Sequence, residues 1–348
     1  MSVKAIVLCL KGTTVLGFML LLQFSYAQFD STAVERFLEK NKDVISKDFA
    51  MIIAKDGKNL FVKNSNEDFK VNTQVPIANA TKWLTCAMIM ALVDEGKINL
   101  DDKVSRYLPI YEKYRKSYIT IRHCLTHQTG LEQHQFKPYG HKIFENLEVE
   151  AEQFASKSEI IDNPGEYFSF GSAGLTIAAR ICEVVTKKPF TTLMNDKIFK
   201  PLQIRTTNYG DGLRSPNPSG GALSTVQDYS VFLNMLLNKG MHKGKRVLSE
   251  NAIKQMHTLQ MDVNKVKFTP EWTKGFGYGY GVLLLETNEK GEATALTSPG
   301  FFCQWNVIDL CRGYSCVLFV KSLTSEKRKN FTLDIKNLLD EMFPSTCK

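Results

Sequence analysis

Residues Ile119–Leu131 read ITIRHCLTHQTGL. His123 and His127 are spaced i, i+4, so on a helix the two imidazoles would share one face, as they do in zinc-binding helices. A helix of that kind needs a glutamate directly after its first histidine. Cys124 stands there instead, and a Thr129-Gly130 turn follows. The segment therefore predicts no metal site, and we expect no cofactor.

A second informative stretch, Val75–Asp102, reads VPIANATKWLTCAMIMALVDEGKINLDD. It has an apolar lead-in, a small polar cluster, Lys82 and an apolar run that stops where Gly96 can end the helix. This is the layout of a helix that carries a nucleophile. However, Asn79 stands where the nucleophilic serine would be, and a carboxamide cannot attack a carbonyl group.

The rest of the chain divides into strand-rich ends and a helical middle. We predict helices and strands from the 3.6-residue and 2-residue periods of the apolar positions. The predicted helices are Ser31–Asn41, Gly174–Thr186, Thr225–Asn238 and Ser325–Met342. The predicted strands are Phe49–Ala54, Asn59–Lys63, Tyr278–Glu286, Thr294–Thr297, Phe302–Asp309 and Tyr314–Lys321, with a hairpin turn at Leu310–Gly313.

Two strand sets so far apart in sequence most economically form one sheet. We therefore predict an α/β fold, with an antiparallel β-sheet flanked by helices and an inserted, mostly helical lobe. The sheet lobe would comprise residues 28–78 and 268–348, and the helical lobe residues 79–267. A cleft between two lobes is a common ligand site.

Several segments together resemble the serine β-lactamase-like superfamily, which includes class C β-lactamases, DD-peptidases and related esterases. Ile119–Leu131 is similar to its "ITIRHLLTHTSGL" segment. Gly96–Pro109, Ile198–Leu202, Ser219–Tyr229 and Ser298–Phe302 match other segments in the same order. The resemblance covers nearly the whole mature chain and implies the β-lactamase/transpeptidase-like fold of penicillin-binding proteins.

The resemblance also implies a site with two substitutions. The family's Ser-x-x-Lys motif is aligned with Asn79-Ala-Thr-Lys82, which keeps the lysine and lacks the nucleophile. Its Tyr-x-Asn or Tyr-x-Ser motif is aligned with Phe170-Gly-Ser172, which keeps the ring and lacks the hydroxyl. Ser298-Pro-Gly300 takes the place of its third motif. The N–H groups of Phe301 and Asn79 would then form the oxyanion hole.

Other residues offer alternative nucleophiles. Thr81 would point to a different side of the helix from Asn79, and its ordinary role is packing or hydrogen bonding. Ser169 would be a turn or strand residue, whereas Ser172 and Ser298 would be polar ligand contacts. Cys303 would pack or form a disulfide. Tyr278 and Tyr280 are further side chains that could face the cleft.

The N-terminal residues have the features of a secretory signal. Lys4 and Lys11 precede or flank the apolar run Val15–Leu22, and small residues at Ser25 and Ala27 favour cleavage after Ala27. The apolar run is shorter than the roughly 20 residues that span a bilayer. We therefore expect residues 1–27 to be removed and the mature protein to be periplasmic or secreted, without a stable membrane anchor.

Charge and cysteine content limit the partners and the compartment. The formal net charge is +8, but the basic residues are scattered and form no stripe for nucleic acid. Cys86, Cys124 and Cys182 have the apolar context of core residues. The late cysteines Cys303, Cys311, Cys316 and Cys347 allow one disulfide, whose pairing the sequence leaves open.

These observations favour an exported pseudoenzyme with a degenerate serine-hydrolase site and a cleft for a small-molecule or peptide ligand. The alternative is an active esterase, amidase, D-peptidase or β-lactamase-like enzyme with a relocated nucleophile. A further alternative is an engineered inactive form of such an enzyme, which would show the same substitutions at positions 79 and 170. The sequence does not indicate an oligomeric state.

Overall fold

The computed structural model of the protein describes residues 29–45, 47–132, 144–210, 215–300, 305–321 and 328–347. The predicted signal segment, and with it the cleavage position near Ala27, lies outside these ranges, as do Phe301 and Cys303. Within the ranges, no helix combines the length and apolar character that a membrane span requires.

The centre of the fold is a seven-stranded antiparallel sheet. Two of its strands come from the N-terminal part, as predicted, and five from the C-terminal part, where four were predicted. The strands of this sheet are β1 Phe49–Lys55, β2 Lys58–Asn64, β9 Gly277–Tyr278, β10 Leu283–Thr287, β11 Ala293–Thr297, β12 Trp305–Asp309 and β13 Tyr314–Val320. Their order across the sheet is β2-β1-β13-β12-β11-β10-β9.

Three short ribbons lie outside the main sheet. Their strands are β3 Val75–Pro76, β4 Phe168–Ser169, β5 Leu223–Ser224, β6 Met241–His242, β7 Lys245–Arg246 and β8 Val266–Phe268. β3 pairs with β5, β4 with β8 and β6 with β7. The first two ribbons lie next to Asn79 and Phe170, two of the predicted site residues.

Helices cover both faces of the sheet. They are α1 Ser31–Lys40, α2 Lys42–Ile45, α3 Thr81–Asp94, α4 Ile110–Lys113, α5 Ile121–Leu125, α6 Leu147–Lys157, α7 Ala173–Thr186, α8 Phe190–Met194, α9 Lys200–Leu202, α10 Val226–Leu237, α11 Glu250–Met256 and α12 Arg328–Met342. A π-helical turn, Asn195–Phe199, joins α8 to α9. The arrangement is the predicted antiparallel sheet flanked by helices.

Alternation along the strands divides the core into two layers. In β1, Ile52 belongs to the large apolar cluster that also contains most of α3, α7 and α10. Met51 and Ile53 point to the opposite face and pack in a cluster with α1 and α12. All three side chains are fully buried. Successive side chains of a strand point to opposite faces of the sheet, and here helices cover both faces.

The single strand predicted over Tyr278–Glu286 is wrong. β9 ends at Tyr278 and β10 starts at Leu283. Gly281 lies between them with φ +73°, and a Cβ atom there would lie 2.5 Å from the Lys82 carbonyl oxygen. The chain bends here because its backbone packs directly against α3, which an alternating apolar pattern does not reveal.

The cysteines are placed largely as the sequence suggests. Cys86, Cys124, Cys182 and Cys316 are buried thiols. Cys311, in the turn after β12, forms a disulfide with Cys347, beyond the end of α12. The bond joins the β12–β13 hairpin to the C-terminal segment.

One buried cluster of charges joins α12 to the sheet. Lys336 is 1% exposed, and its Nζ lies 2.8 Å from a carboxylate oxygen of Glu286, 3.4 Å from Asp309 and 2.6 Å from Asp340. The three carboxylates lie close enough together to bind a cation. The Lys336 ammonium already supplies the positive charge, so this cluster has a structural role.

Candidate active site

Asn79 lies in a tight turn at the start of the central helix. The ribbon β3–β5 leads into it, and the Ile77 N–H donates to the Ala222 carbonyl oxygen at 2.9 Å. Ala78 then adopts a left-handed φ of +44°, which is strained for a residue with a Cβ atom. A 3₁₀ turn over Ala78–Ala80 continues directly into α3. The turn presents half-buried Asn79 at the N-terminal end of a helix that is otherwise buried.

Lys82 follows one helical turn later and is 3% exposed. Its Nζ donates to the Ser219 carbonyl oxygen at 2.9 Å and lies 5.0 Å from the centre of the Phe170 ring. Burial disfavours the ammonium form and lowers the pKa of Lys82 to about 7. A substantial fraction of Lys82 is therefore neutral at neutral pH.

Phe170 is held in an aromatic cluster beside Lys82. Its N–H donates to the Phe268 carbonyl oxygen at 2.9 Å, next to the parallel ribbon β4–β8. Its ring centre lies 4.8 Å from that of His127 and 6.1 Å from that of Tyr278. The side chain is 8% exposed. An apolar ring thus faces the lysine amine where the family motif would supply a phenol.

Ser172 and Ser219 connect α7 with Lys82. Ser172 is partly exposed at the N-terminus of α7, and its side chain makes no capping hydrogen bond. The Ser219 hydroxyl donates to the Ser172 carbonyl oxygen at 3.1 Å, while the Ser219 carbonyl oxygen accepts from Lys82. Lys82, Ser219 and Ser172 therefore belong to one hydrogen-bonded group.

Ser298 closes the site from the end of β11. Its hydroxyl lies within donor distance of the Gly281 carbonyl oxygen, at 3.2 Å, and of the Asn79 carbonyl oxygen, at 3.4 Å. The Asn306 side chain bonds both the N–H and the carbonyl group of Ser298. Gly300 is buried two residues further on. The inferred oxyanion donor Phe301 lies outside the described residues.

The structure thus brings Asn79, Lys82, Phe170 and Ser298 together, and Ser172 joins them through Ser219. The hydroxyl groups of Thr81, Ser219 and Ser298 are engaged with the main chain. Thr81 is fully buried, and its Oγ1 accepts from the Ala222 N–H at 3.2 Å. This is the packing and hydrogen-bonding role predicted for it. Among the described residues, no side-chain hydroxyl hydrogen-bonds to Lys82 Nζ.

Comparison with known proteins gives the family. The family model described as Beta-lactamase matches residues 46–338, which is most of the chain. The chain belongs to the beta-lactamase family. The match spans both strand sets of the sheet and everything between them, so the predicted fold class and resemblance are confirmed.

Individual proteins are similar to this chain over different parts of its length. Protein Rv1367c of Mycobacterium tuberculosis is 24% identical over 290 residues, which cover 66% of this chain and 70% of that protein. The Escherichia coli D-alanyl-D-alanine-carboxypeptidase/endopeptidase AmpH is 25% identical over 146 residues, 40% of this chain and 38% of AmpH. A candidate beta-lactamase of Bacteroides dorei superposes with a TM-score of 0.80 at 24% identity, covering 90% of this chain and 99% of that one.

Two buried residues of this beta-lactamase-family site were not identified from the sequence as a pair. His127 Nε2 and the Tyr278 hydroxyl are 2.9 Å apart behind Phe170, and both side chains are buried. Burial and the nearby Lys82 charge hold the pKa of His127 well below its usual range, and burial raises that of Tyr278. The residues are 151 positions apart, so no local pattern could pair them.

The two histidines of Ile119–Leu131 make separate contacts. His123 Nδ1 accepts from the Thr120 N–H at 3.3 Å as part of the N-cap of α5. His127 instead pairs with Tyr278. Tyr280, the other tyrosine considered for the cleft, is fully buried and bonds Arg122 through its hydroxyl.

Proposed function

We propose that this protein is an exported member of the beta-lactamase family that binds an acyl compound, such as a peptide or an ester, without hydrolysing it through a serine. Asn79 takes the nucleophile position and Phe170 the tyrosine position. Ser172, Ser298, Gly300 and Phe301 would contact the ligand, whose place is the cleft that the hydrolase fold of the family suggests.

The observation that carries the proposal is the hydrogen bonding of Lys82. A lysine that activates a serine must accept the proton of the serine hydroxyl, which requires direct contact. Lys82 Nζ instead donates to a main-chain oxygen and lies against the Phe170 ring. Asn79 offers no hydroxyl to it. An acylation step through a serine therefore lacks its nucleophile, and Lys82 has no serine hydroxyl in contact from which to take a proton.

A relocated nucleophile is a weaker explanation for the same geometry. The hydroxyl groups of Ser298 and Ser219 are both oriented toward main-chain carbonyl oxygens. A hydroxyl group that donates to a carbonyl oxygen gains no basic partner. Loss of a catalytic serine costs on the order of a millionfold in kcat when nothing replaces it.

Several features support export. The N-terminal residues have the pattern of a secretory signal, and the Cys311–Cys347 disulfide suits an oxidising compartment.

A relative suggests which ligands to test first. AmpH of Escherichia coli is named a D-alanyl-D-alanine-carboxypeptidase/endopeptidase. Compounds of that class are therefore suitable first ligands to test.

Turnover of a p-nitrophenyl ester and of a chromogenic β-lactam tests the proposal. We expect no enzymatic turnover by the native protein and measurable turnover by Asn79→Ser/Phe170→Tyr. Phe170→Tyr alone should stay inactive because it still lacks the nucleophile. Turnover by the native protein that is lost in Ser298→Ala or Ser219→Ala would refute the proposal and identify a relocated nucleophile.

A further inference from the structure

Lys82 differs from the other buried lysines in its number of hydrogen-bond acceptors. The Lys116 ammonium faces three main-chain carbonyl oxygens, of Phe154, Ala155 and Ser158. Lys336 faces three carboxylates. Lys82 has one acceptor, the Ser219 carbonyl oxygen, and no described carboxylate lies within ion-pair distance of it.

This difference favours a neutral amine at position 82. An ammonium group has three N–H donors, and leaving buried donors unpaired costs free energy. A neutral amine has two donors and a lone pair, so it loses less in this environment. The lowered pKa of Lys82, about 7, agrees with the donor count. The Phe170 ring can attract the charged form, but it replaces none of the missing hydrogen bonds.

The amine also lies beside a partly open surface. Asn79, Gly171, Ser172 and Gly220 are only half-buried, although Lys82 itself is 3% exposed. No described hydrogen bond holds the Asn79 carboxamide in place. Because Asn79 precedes Lys82 by one helical turn, we expect movement of its side chain to open the approach to Nζ.

We propose that Lys82 accepts the acyl group of an activated ester or a strained lactam that enters the cleft. The inference rests on the proposed function, because it requires a cleft that binds acyl compounds and contains no serine nucleophile. The Nζ lone pair attacks the carbonyl carbon, the new N–C bond forms and the ester C–O or lactam C–N bond breaks. The leaving oxygen or nitrogen takes one proton from Nζ.

The product is a stable amide, so each chain reacts once. A serine ester can be hydrolysed by water, but an amide on Nζ has no comparable route of release. Lys82 would therefore make the protein a stoichiometric acceptor of reactive acyl compounds. Its rate should exceed that of exposed lysines, of which only about one in a thousand is neutral at neutral pH.

Mass spectrometry of the native protein after incubation with p-nitrophenyl acetate tests the proposal. We expect acetylation of Lys82 at least about tenfold faster than that of the exposed Lys58 and Lys239, with a burst of one equivalent of nitrophenolate. The modification should survive hydroxylamine, which removes esters. It should be lost after Lys82→Met and be faster in Asn79→Gly, which opens the approach to Nζ.

The possible failures are distinguishable. Acetylation of Lys82 no faster than that of the exposed lysines, or a hydroxylamine-labile adduct, would overturn this inference. If Lys82 failed this test but Asn79→Ser/Phe170→Tyr were acylated at position 79, the proposed function would stand without the inference about Lys82. Repeated turnover by the native protein would instead contradict the proposed function. Urea-unfolded protein, in which all lysines should react alike, controls for intrinsic peptide reactivity.

Discussion

The position of Lys82 can be predicted from a short motif, whereas its contacts depend on the fold. The sequence placed Asn79, Lys82 and Phe170 through their order within family-like segments, and the structure brings these three side chains together. The partners of Lys82 could not be predicted in this way. Ser219 reaches it from 137 positions away, through a main-chain oxygen whose direction depends on the fold.

The charge of Lys82 makes a prediction about stability and pH. Its pKa is about 7 in the folded protein, below the ordinary lysine value of 10.5. Between these values the unfolded chain binds a proton that the folded chain has released, so raising the pH stabilises the folded state. Below pH 7, Lys82 is protonated in both the folded and the unfolded state, so the folded state bears the full cost of burying the ammonium group.

We therefore expect Lys82→Met to be more stable than the native protein at pH 6–7. This advantage should shrink by up to about 1 kcal/mol per pH unit above pH 8, since one pKa unit corresponds to about 1.4 kcal/mol. Urea unfolding of both proteins between pH 6 and 10 measures the difference. A difference that is constant over this range would show that Lys82 is not forced toward neutrality.

At the scale of elements, the helices were easier to predict than the breaks between strands. Predicted Gly174–Thr186 corresponds to α7 Ala173–Thr186, and predicted Thr225–Asn238 to α10 with Thr225 as its N-cap. Both have clear apolar periodicity. The break at Gly281 depends on the close approach of a distant helix backbone, which leaves no local periodic signal.

Gly174 permits a second close approach, between α7 and α5. A Cβ atom at Gly174 would lie 2.2 Å from the Cys124 carbonyl oxygen. Alanine normally stabilises a helix relative to glycine by about 1 kcal/mol, but overpacking costs about 1–3 kcal/mol. We expect Gly174→Ala to lower the free energy of unfolding.

Urea unfolding at neutral pH measures the effect of Gly174→Ala. Gly220→Ala is the matched control, because its added Cβ atom would make only ordinary contacts, the nearest at 3.7 Å. The control should change the free energy of unfolding by less than about 0.5 kcal/mol. A stabilised Gly174→Ala variant would show that α5 and α7 are further apart than described.

At the scale of the whole molecule, the sequence anticipated one disulfide among four late cysteines and left its pairing open. The pairing depends on where the C-terminal segment ends after α12. Cys347 reaches Cys311 because α12 packs back across the sheet, where Lys336 joins the buried carboxylates. Cys316 is buried within β13 and has a free thiol.

This disulfide should stabilise the mature protein. It links residues 36 positions apart, and closing a loop of that size contributes about 2–4 kcal/mol. We expect Cys347→Ser to lower the urea midpoint, and a reductant to lower that of the native protein to the same value. The variant itself should not respond to reductant. A native protein that is insensitive to reductant would contradict the pairing.

The most direct test of the central claim is the intact mass of the native protein after reaction with a fluorophosphonate, measured beside Asn79→Ser/Phe170→Tyr. A fluorophosphonate phosphonylates an activated serine with loss of fluoride and requires no knowledge of the natural ligand. We predict no serine or threonine adduct on the native protein and one adduct, at position 79, on the double variant. One equivalent bound to any serine or threonine of the native protein would contradict the claim.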